Sequence, residues 1–271
     1  MTKKIFTMLL LITVVSMCLF PAVLADETAA EEELRTCEAV KGTVKIDGEI
    51  DAEWSKANVI DTYNVVAETS DNPVTMKVRT LWDENYFYAL FEVKDNLLSL
   101  KGEKSNQDSI EMFYDEMNVR GERWTNVPMG GQFRVNYDNS VVQGDNIVTA
   151  TKVVDGGYVV EIGIPWYDKA NAKVGHVLGV DFQVNNDGAD TGTRTGRLVW
   201  NDKENRGFKY PNVFGLCTLV DAPATAPVST SAPAPVNPKT GDDFNSLAAI
   251  AFALISGTAI VFIIKKKLVK S

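Results

Sequence analysis

Apolar and polar residues alternate with a period of two along most of the middle of the chain. The clearest alternating stretches, separated by clusters of Gly, Asn, Asp and Pro, are 74–82, 86–93, 109–114, 131–137, 158–164, 177–184, 197–200 and 216–220. Alternation of this kind is typical of strands with one buried face, and the turn residues between them favour hairpins. The pattern predicts an all-β fold, an antiparallel, jelly-roll-like β-sandwich. One short helical turn is expected at 51–54, capped by Asp51.

The first 25 residues interrupt the alternation. Two lysines at positions 3–4 precede an apolar stretch at 5–24, and Val23-Leu24-Ala25 forms a plausible cleavage site before Asp26. This order of charged, apolar and cleavage segments is typical of a secretory signal peptide. We therefore expect residues 1–25 to be removed on export.

The C-terminal end carries a second targeting pattern. An uncharged, mainly apolar run of about 18 residues, 247–264, is followed by three lysines. Such a run is long enough to cross a hydrocarbon core, with the lysines on the cytoplasmic side. An ordinary membrane anchor is one interpretation of it.

The pentapeptide Asn237-Pro238-Lys239-Thr240-Gly241 favours another interpretation. It resembles the (N/S)PxTG variant of the motif that sortases cut between Thr and Gly. The resemblance implies that residues 237–271 are a Gram-positive sorting signal, cut between Thr240 and Gly241. Thr240 would then be joined to peptidoglycan by sortase, and the protein would stay outside the cell, anchored to the wall.

Two further segments do not have the composition of a folded domain. Residues 26–35 form an acidic, Ala-containing segment, and residues 221–236 are rich in Pro, Ala and Thr, which predicts an extended linker. Residues 36–220 remain, a length suited to one monomeric domain with a substantial core. The linker would act as a spacer through the wall.

The charge of the exported part narrows the choice of ligand. Residues 26–240 hold 21 of the 27 Lys and Arg residues and 34 of the 36 Asp and Glu residues, a net charge near −13. An acidic surface repels phosphate backbones and anionic lipid heads, so we expect no nucleic-acid partner. Uncharged ligands or calcium fit this charge better.

Only two cysteines fall in the predicted domain, Cys37 near its start and Cys217 near its end. An exported domain can hold a disulfide, and a bridge over so long a loop would stabilise it by roughly 2 to 5 kcal/mol. Two separately buried thiols are the other possibility, and the sequence leaves both open. Neither cysteine lies in the context of a catalytic nucleophile, because His176 is the only histidine.

Three of the alternating stretches carry polar side chains on one face. Glu111, Arg134 and Gln183 each lie on the side of a predicted strand opposite its apolar residues. An ordinary solvated sheet face would have the same pattern. Carboxylate, guanidinium and amide groups can also pair with adjacent sugar hydroxyls, and a nearby aromatic ring can stack on a sugar.

The chain resembles the carbohydrate-binding modules of family 9, which accompany bacterial xylanases. The resemblance runs in order through VKIDGEIDAEW (44–54), VRTLWDENY (78–86), QDSIEMF (107–113), QFRVNY (132–137), GGYVVE (156–161) and GVDFQVN (179–185). It implies a β-sandwich with structural calcium that grips the end of a glucan or xylan chain.

Carried over residue by residue, the resemblance implies hydrogen-bonding contacts at Glu111, Arg134, Gln183 and Asn205. The family holds a sugar ring between two tryptophans, and the matching positions here are Ser105 and Phe208. One aromatic face is therefore missing and the other is smaller. Trp124, in a loop-like segment, could replace the missing ring or could pack on its own sheet.

The resemblance also implies calcium, which the motifs alone do not locate. Candidate ligands are Asp47, Asp51 and Asp108, although none has the fixed spacing of a helix-loop-helix calcium site. The expected function is noncatalytic binding of xylan- or glucan-type polysaccharide at the wall, in support of its breakdown. Two alternatives remain: an adhesin without a sugar site, and a jelly-roll glycosidase that uses Glu111 and Glu161.

Overall fold

The computed structural model describes residues 33–222. The predicted signal peptide, almost all of the predicted linker, and the sorting signal with Thr240 and Gly241 lie outside this range. The described residues form twelve strands: β1 (Thr36–Lys41), β2 (Asn64–Glu68), β3 (Thr75–Trp82), β4 (Tyr86–Lys94), β5 (Ser109–Asp115), β6 (Gly130–Asn136), β7 (Val141–Gln143), β8 (Val148–Val154), β9 (Gly157–Pro165), β10 (Val177–Asn186), β11 (Gly196–Val199) and β12 (Gly215–Val220).

The helices of the described range are short 3₁₀ helices. They span Ala52–Lys56, Trp124–Asn126, Lys169–Asn171 and Pro211–Val213. No helix within residues 33–222 is long and apolar enough to cross a membrane.

The strands form one sheet in the order β7-β6-β5-β10-β12-β1-β3-β4-β9-β8, with β11 and β2 extending it from the other half of β10. The sheet curls into a nearly closed sandwich, because rings from its two halves meet across the interior. Phe91 of β4 lies 5.9 Å from Phe182 of β10, and Phe87 of β4 lies 5.6 Å from Tyr114 of β5, between ring centroids. The all-β sandwich predicted from the alternation is confirmed.

One strand departs from the expected antiparallel arrangement. β1 pairs in parallel with both of its neighbours, β12 and β3, whereas the other pairings are antiparallel. In the pairing with β12, Cys37 lies directly opposite Cys217, and both are free thiols. The first and last strands of the domain therefore lie side by side.

The alternation sorts side chains into two apolar clusters. The larger cluster fills the interior and takes the inward residues of both halves, such as Ile110, Met112, Val160 and Ile162. The smaller one covers the outer face of β3, β4 and β9 and is built around Trp54. Trp54, Trp82, Trp166 and Trp200 are all buried, as expected for structural tryptophans.

Each predicted stretch overlaps a strand, but the sequence analysis did not identify β1, β2, β7 and β8. The prediction that the Asp51 side chain caps a helical turn was also wrong. Asp51 does precede the 3₁₀ helix Ala52–Lys56, but its side chain makes no capping hydrogen bond. Its Oδ2 instead accepts from the backbone N–H of Lys45 at 2.9 Å, because the preceding loop folds back over it.

Candidate functional site

Three neighbouring strands bring the predicted polar residues together. In the registers of β6, β5 and β10, Arg134 lies opposite Glu111 and Glu111 lies opposite Gln183. Since their strand neighbours point into the core, these three side chains share the outer face of the sheet. The polar faces predicted separately therefore form one continuous polar surface.

Glu111 is the common hydrogen-bond acceptor of this surface. Its Oε1 accepts from Arg134 Nη2 at 2.7 Å, from Gln183 at 2.9 Å and from Asn185 at 2.8 Å, and its Oε2 accepts from Gln132. A carboxylate has about four acceptor positions. With 1 % of its surface exposed, Glu111 has its acceptor capacity taken up by the protein, so it holds the donors in place.

A cleft of about 510 Å³ opens over this surface. It is lined by Ser105, Glu111, Phe113, Gln132, Arg134, Gln143, Gln183, Arg194, Asn205 and Phe208. All five residues that the family resemblance singled out for sugar contact lie in this lining. Trp124 does not.

Two polar atoms in the lining residues remain without partners. Arg134 Nε, a donor, and Gln183 Oε1, an acceptor, are buried and make no hydrogen bond within residues 33–222. Leaving such a group unpaired costs about 1 to 3 kcal/mol, so buried polar atoms normally have a partner. A ligand that both donates and accepts would satisfy the two together.

Phe208 gives the cleft its exposed aromatic surface. Its side chain is 45 % exposed, and the Lys209 ammonium lies 5.1 Å from its ring centroid. Phe113 also lines the cleft, but it is buried against Phe214. Ser105 lies in the lining without contributing a ring, so the cleft has one open aromatic face.

Two buried aspartates hold the loop that carries Asn205 and Phe208. Asp181 of β10 accepts from the backbone N–H groups of Asn201 and Asp202, each at 2.9 Å. Asp202 in turn accepts from Glu204 N at 3.0 Å and Gly207 N at 2.7 Å. Burial raises the pKa of Asp181 to about 7, because removal from water opposes its charge more than these hydrogen bonds favour it.

Trp124 supports this loop from the side. Its indole N–H donates to the carbonyl oxygen of Phe208 at 3.1 Å, and its ring packs on Phe214 with centroids 5.6 Å apart. Trp124 therefore lies near Phe208 because it bonds the Phe208 backbone. Trp124 thus packs against its own domain, and it is not among the residues that line the cleft.

The carboxylate pair required by a glycosidase is separated by the core. Glu111 is on the outer face of β5, whereas Glu161 is on the outer face of β9, where it accepts from Gly48 N at 2.8 Å and Trp54 Nε1 at 2.9 Å. Packed sheets lie about 10 Å apart, and two outward side chains lie farther apart still. This exceeds the roughly 5 to 9.5 Å of a glycosidase pair, so Glu111 and Glu161 cannot act together.

The three predicted calcium ligands do not converge. Asp47 and Asp51 lie in the loop before the first 3₁₀ helix, and Asp47 is paired with Lys45. Asp108 lies just before β5, where both its oxygens accept backbone N–H groups, from Ser99 and Asp187. Within residues 33–222 no group of three or more His, Cys, Asp or Glu side chains is placed to hold a metal ion.

A different cluster, with two carboxylates and an amide, has free oxygen atoms. Glu68 Oε2, Asp95 Oδ2 and Asn186 Oδ1 are buried and without hydrogen-bond partners in the described range. Asn72 connects two of these residues, donating to Asp95 Oδ1 at 3.1 Å and accepting from Asn186 at 2.9 Å. Gly196 lies opposite both Asn186 and Glu68, and a Cβ there would come within 2.9 Å of Glu68 Oε2. Glu68 and Asn186 therefore flank Gly196, and carboxylate and amide oxygens are the ligand type that calcium takes.

The sequence analysis missed several lining residues. Gln132 follows the same period-two face as Arg134, so the alternation could have identified it. Gln143 lies on the three-residue strand β7, and Arg194 lies in an irregular loop before β11. Neither of these two segments has a periodic pattern that a sequence could reveal.

Comparison with known proteins identifies several relatives of this chain. The chain is 37 % identical over 195 residues to endo-1,4-beta-xylanase A of Thermotoga maritima, and 34 % identical over 192 residues to exoglucanase XynX of Acetivibrio thermocellus. These alignments cover 70 % and 69 % of this chain but only 18 % and 17 % of the relatives. The chain thus spans less than a fifth of each relative's length.

Two solved structures are similar to this chain over their whole length. A family 9 carbohydrate-binding module from Caldicellulosiruptor kristjanssonii in complex with cellotriose has a TM-score of 0.64 and 29 % identity, covering 75 % of this chain and all of that one. The structure of such a module from the same organism in complex with glucose has a TM-score of 0.61 and 28 % identity, covering 71 % of this chain and all of that one.

The family model described as "Carbohydrate family 9 binding domain-like" matches residues 46–222, which are most of the folded domain. The likeness to xylanases is confined to the part that this model describes, and the similar solved chains are binding modules. The chain is therefore a noncatalytic carbohydrate-binding domain, and it belongs to family 9 of the carbohydrate-binding modules.

Proposed function

We propose that this domain binds glucan- or xylan-type polysaccharide in the cleft over β6, β5 and β10. The observation that carries the proposal is the unpartnered pair Arg134 Nε and Gln183 Oε1, in residues that line the cleft beside Phe208. Adjacent sugar hydroxyls both donate and accept, and the C–H face of a sugar packs on an aromatic ring. Cellotriose and glucose in complex with similar modules support this class of ligand.

Calorimetric titration tests the proposal directly. The protein is titrated with glucose, cellobiose, xylobiose and soluble xylan, and released reducing sugar is assayed in the same samples. We expect saturable binding that Arg134→Ala abolishes, because this change removes the buried donor and one of the four partners of Glu111. Arg79→Ala, on β3 and paired with Glu92 instead, is the matched control and should bind normally.

Failure to bind any of these sugars would contradict the proposal. It would favour the adhesin interpretation, which the serine at the second aromatic position already supports.

We also propose that calcium stabilises the domain at Glu68, Asp95 and Asn186. Two carboxylates and an amide oxygen would supply hard oxygen ligands in the space beside Gly196. The ion would satisfy three buried acceptors and offset the repulsion that helps raise the pKa of Asp95, in which burial is the larger cause and Glu68 contributes. Its role would be structural, since these residues are not among those that line the sugar cleft.

For the whole protein, we propose display on the wall of a Gram-positive bacterium. The support is the sequence Asn237-Pro238-Lys239-Thr240-Gly241 with its apolar run and lysines.

In a sortase-containing host the protein should appear in the wall fraction and be released by a muralytic enzyme. Thr240→Ala should move it to the membrane fraction; unchanged wall attachment in that variant would refute sortase cleavage at this site.

A further inference from the structure

The cleft has the opposite charge to the chain around it. The chain carries a formal net charge of −9, yet the cleft is lined by two arginines, Arg134 and Arg194, and a single carboxylate, Glu111. A third arginine, Arg197, lies on β11 opposite Asn185, a partner of Glu111. Arg197 is not among the residues that line the cleft, but its register opposite Asn185 puts it on the same outer face of the sheet as Glu111.

The single carboxylate of the cleft, Glu111, already has partners within the protein. Glu111 pairs with Arg134 at 2.7 Å and accepts three further hydrogen bonds from amide side chains. Arg194 donates to the neutral Asn185 Oδ1 at 2.8 Å, and Arg197 Nε is buried without a partner in the described range. Among residues 33–222, neither Arg194 nor Arg197 therefore has an ion pair with a carboxylate.

Burial, and after it the like charge of neighbouring arginines, lowers the pKa of both Arg194 and Arg197. Burial is the main cause that lowers the pKa of Arg194 to about 10, the neighbouring charge of Arg197 adds to it, and Glu111 opposes it. The pKa of Arg197 is lowered by burial and by Arg134, again opposed by Glu111. Partly buried cations of like charge are unfavourable unless an anion pairs with them.

We propose that the cleft selects a sugar chain that carries a carboxylate, a uronic acid, and that Arg194 and Arg197 bind this carboxylate. The inference rests on the proposed sugar-binding function and adds the chemical class of the ligand. A planar guanidinium can bind a carboxylate through two parallel hydrogen bonds, which fixes orientation as well as adding affinity. Arg134 Nε, Gln183 Oε1 and the Asn205 side chain would contact hydroxyls, and Phe208 would contact the ring.

The expected preference follows from the strength of charge-assisted hydrogen bonds. Such bonds contribute roughly 1.5 to 3 kcal/mol, so the acidic ligand should bind at least about tenfold more tightly than its neutral counterpart. The preference should shrink with added salt, since ions screen an interaction that is open to solvent.

Paired titrations test the inference. The protein is titrated with glucuronic acid against glucose, and with a xylo-oligosaccharide bearing one glucuronic acid branch against the same oligosaccharide without it. We expect tighter binding of the acidic member of each pair. Arg194→Gln should reduce that preference, and Arg197→Gln provides an independent second variant. Arg79→Gln changes the net charge equally at a site outside the cleft lining and should leave the preference unchanged.

The outcomes separate this inference from the proposed function. Equal affinity for acidic and neutral ligands would overturn the uronic-acid inference and leave sugar binding intact. Absence of binding to all four ligands would overturn both. An acidic preference that persists in Arg194→Gln and Arg197→Gln, with thermal melting unchanged, would remove the role of these two arginines and so overturn the inference as stated.

Discussion

Ser105 and Phe208 decide how much aromatic surface the cleft offers. Phe208 is exposed at the cleft, while Ser105 leaves the second position without a ring. Aromatic contacts contribute about 0.5 to 1.5 kcal/mol beyond the burial of area. A sugar bound in this cleft as proposed would therefore be held chiefly by hydrogen bonds and by one ring.

Replacing Ser105 with tryptophan should restore the second face. We expect Ser105→Trp to tighten sugar binding by up to about tenfold, the equivalent of 1.4 kcal/mol, measured by calorimetry. Ser105→Ala is the control and should change affinity little. Unaltered affinity in Ser105→Trp would mean that position 105 does not face the bound ring.

Asp181 should make stability depend on pH. Its folded pKa of about 7 lies above the ordinary value of 3.8, so the native state holds a proton that the unfolded state has lost between about pH 4 and 7. The contribution of this group to the free energy of unfolding is therefore greatest at low pH, and it decreases as pH rises through that window.

Urea unfolding across that window checks the sign. As pH rises from 4 to 7, the free energy of unfolding of the wild type should fall steadily relative to that of Asp181→Asn. A difference that stays constant with pH would show that Asp181 titrates normally.

At the scale of strands, the site residues predicted from the sequence lie on stretches that alternate with a period of two. Glu111, Arg134 and Gln183 could be assigned to outer faces because their neighbours are apolar, and strand register then brought them together. Sequence analysis named the calcium candidates Asp47, Asp51 and Asp108, which the structure does not bring together. Glu68, Asp95 and Asn186 come from three separate segments, so no local spacing marks them, whereas Asp47 and Asp51 are close in sequence but engaged elsewhere.

The pairing of β1 with β12 leads to a prediction about the two cysteines. Cys37 and Cys217 face each other in register, and their contact raises the pKa of the Cys37 thiol, with burial as a further cause. With oxidised glutathione as the acceptor of two electrons and two protons, we expect one intramolecular disulfide and two molecules of reduced glutathione. Closing so long a loop should raise the melting temperature by at least about 4 °C.

Intact mass and thermal melting measure this outcome. Cys37→Ala, which cannot form the bridge, should show no shift under the same treatment. Glutathione adducts on both cysteines of the wild type, instead of a bridge, would contradict the prediction.

At the scale of the whole domain, calcium should couple distant segments into one unit. The proposed ligands lie at the end of β2, after β4 and in β10. An ion present at about 100 times its dissociation constant stabilises the folded state by about 2.7 kcal/mol, or roughly 5 to 10 °C in melting temperature for a domain of this size.

Chelation experiments on single variants check the location of the ion. EGTA should lower the melting temperature of the wild type and of Asp47→Asn, the candidate suggested by sequence. In Asp95→Asn, EGTA should have little effect because the site is already impaired. A full response to EGTA in Asp95→Asn would move the site elsewhere.

The direction of β12 has a mechanical consequence. β12 runs antiparallel to β10, with Val177 opposite Thr218 near the end where the chain leaves the domain. Gln183 and the cleft lie toward the other end of β10, about 20 Å away. When a bound polysaccharide is pulled while the chain is held beyond Val220, the load runs along the strands. The hydrogen bonds that join β12 to β10 and β1 then resist together in shear, instead of opening one after another from an edge.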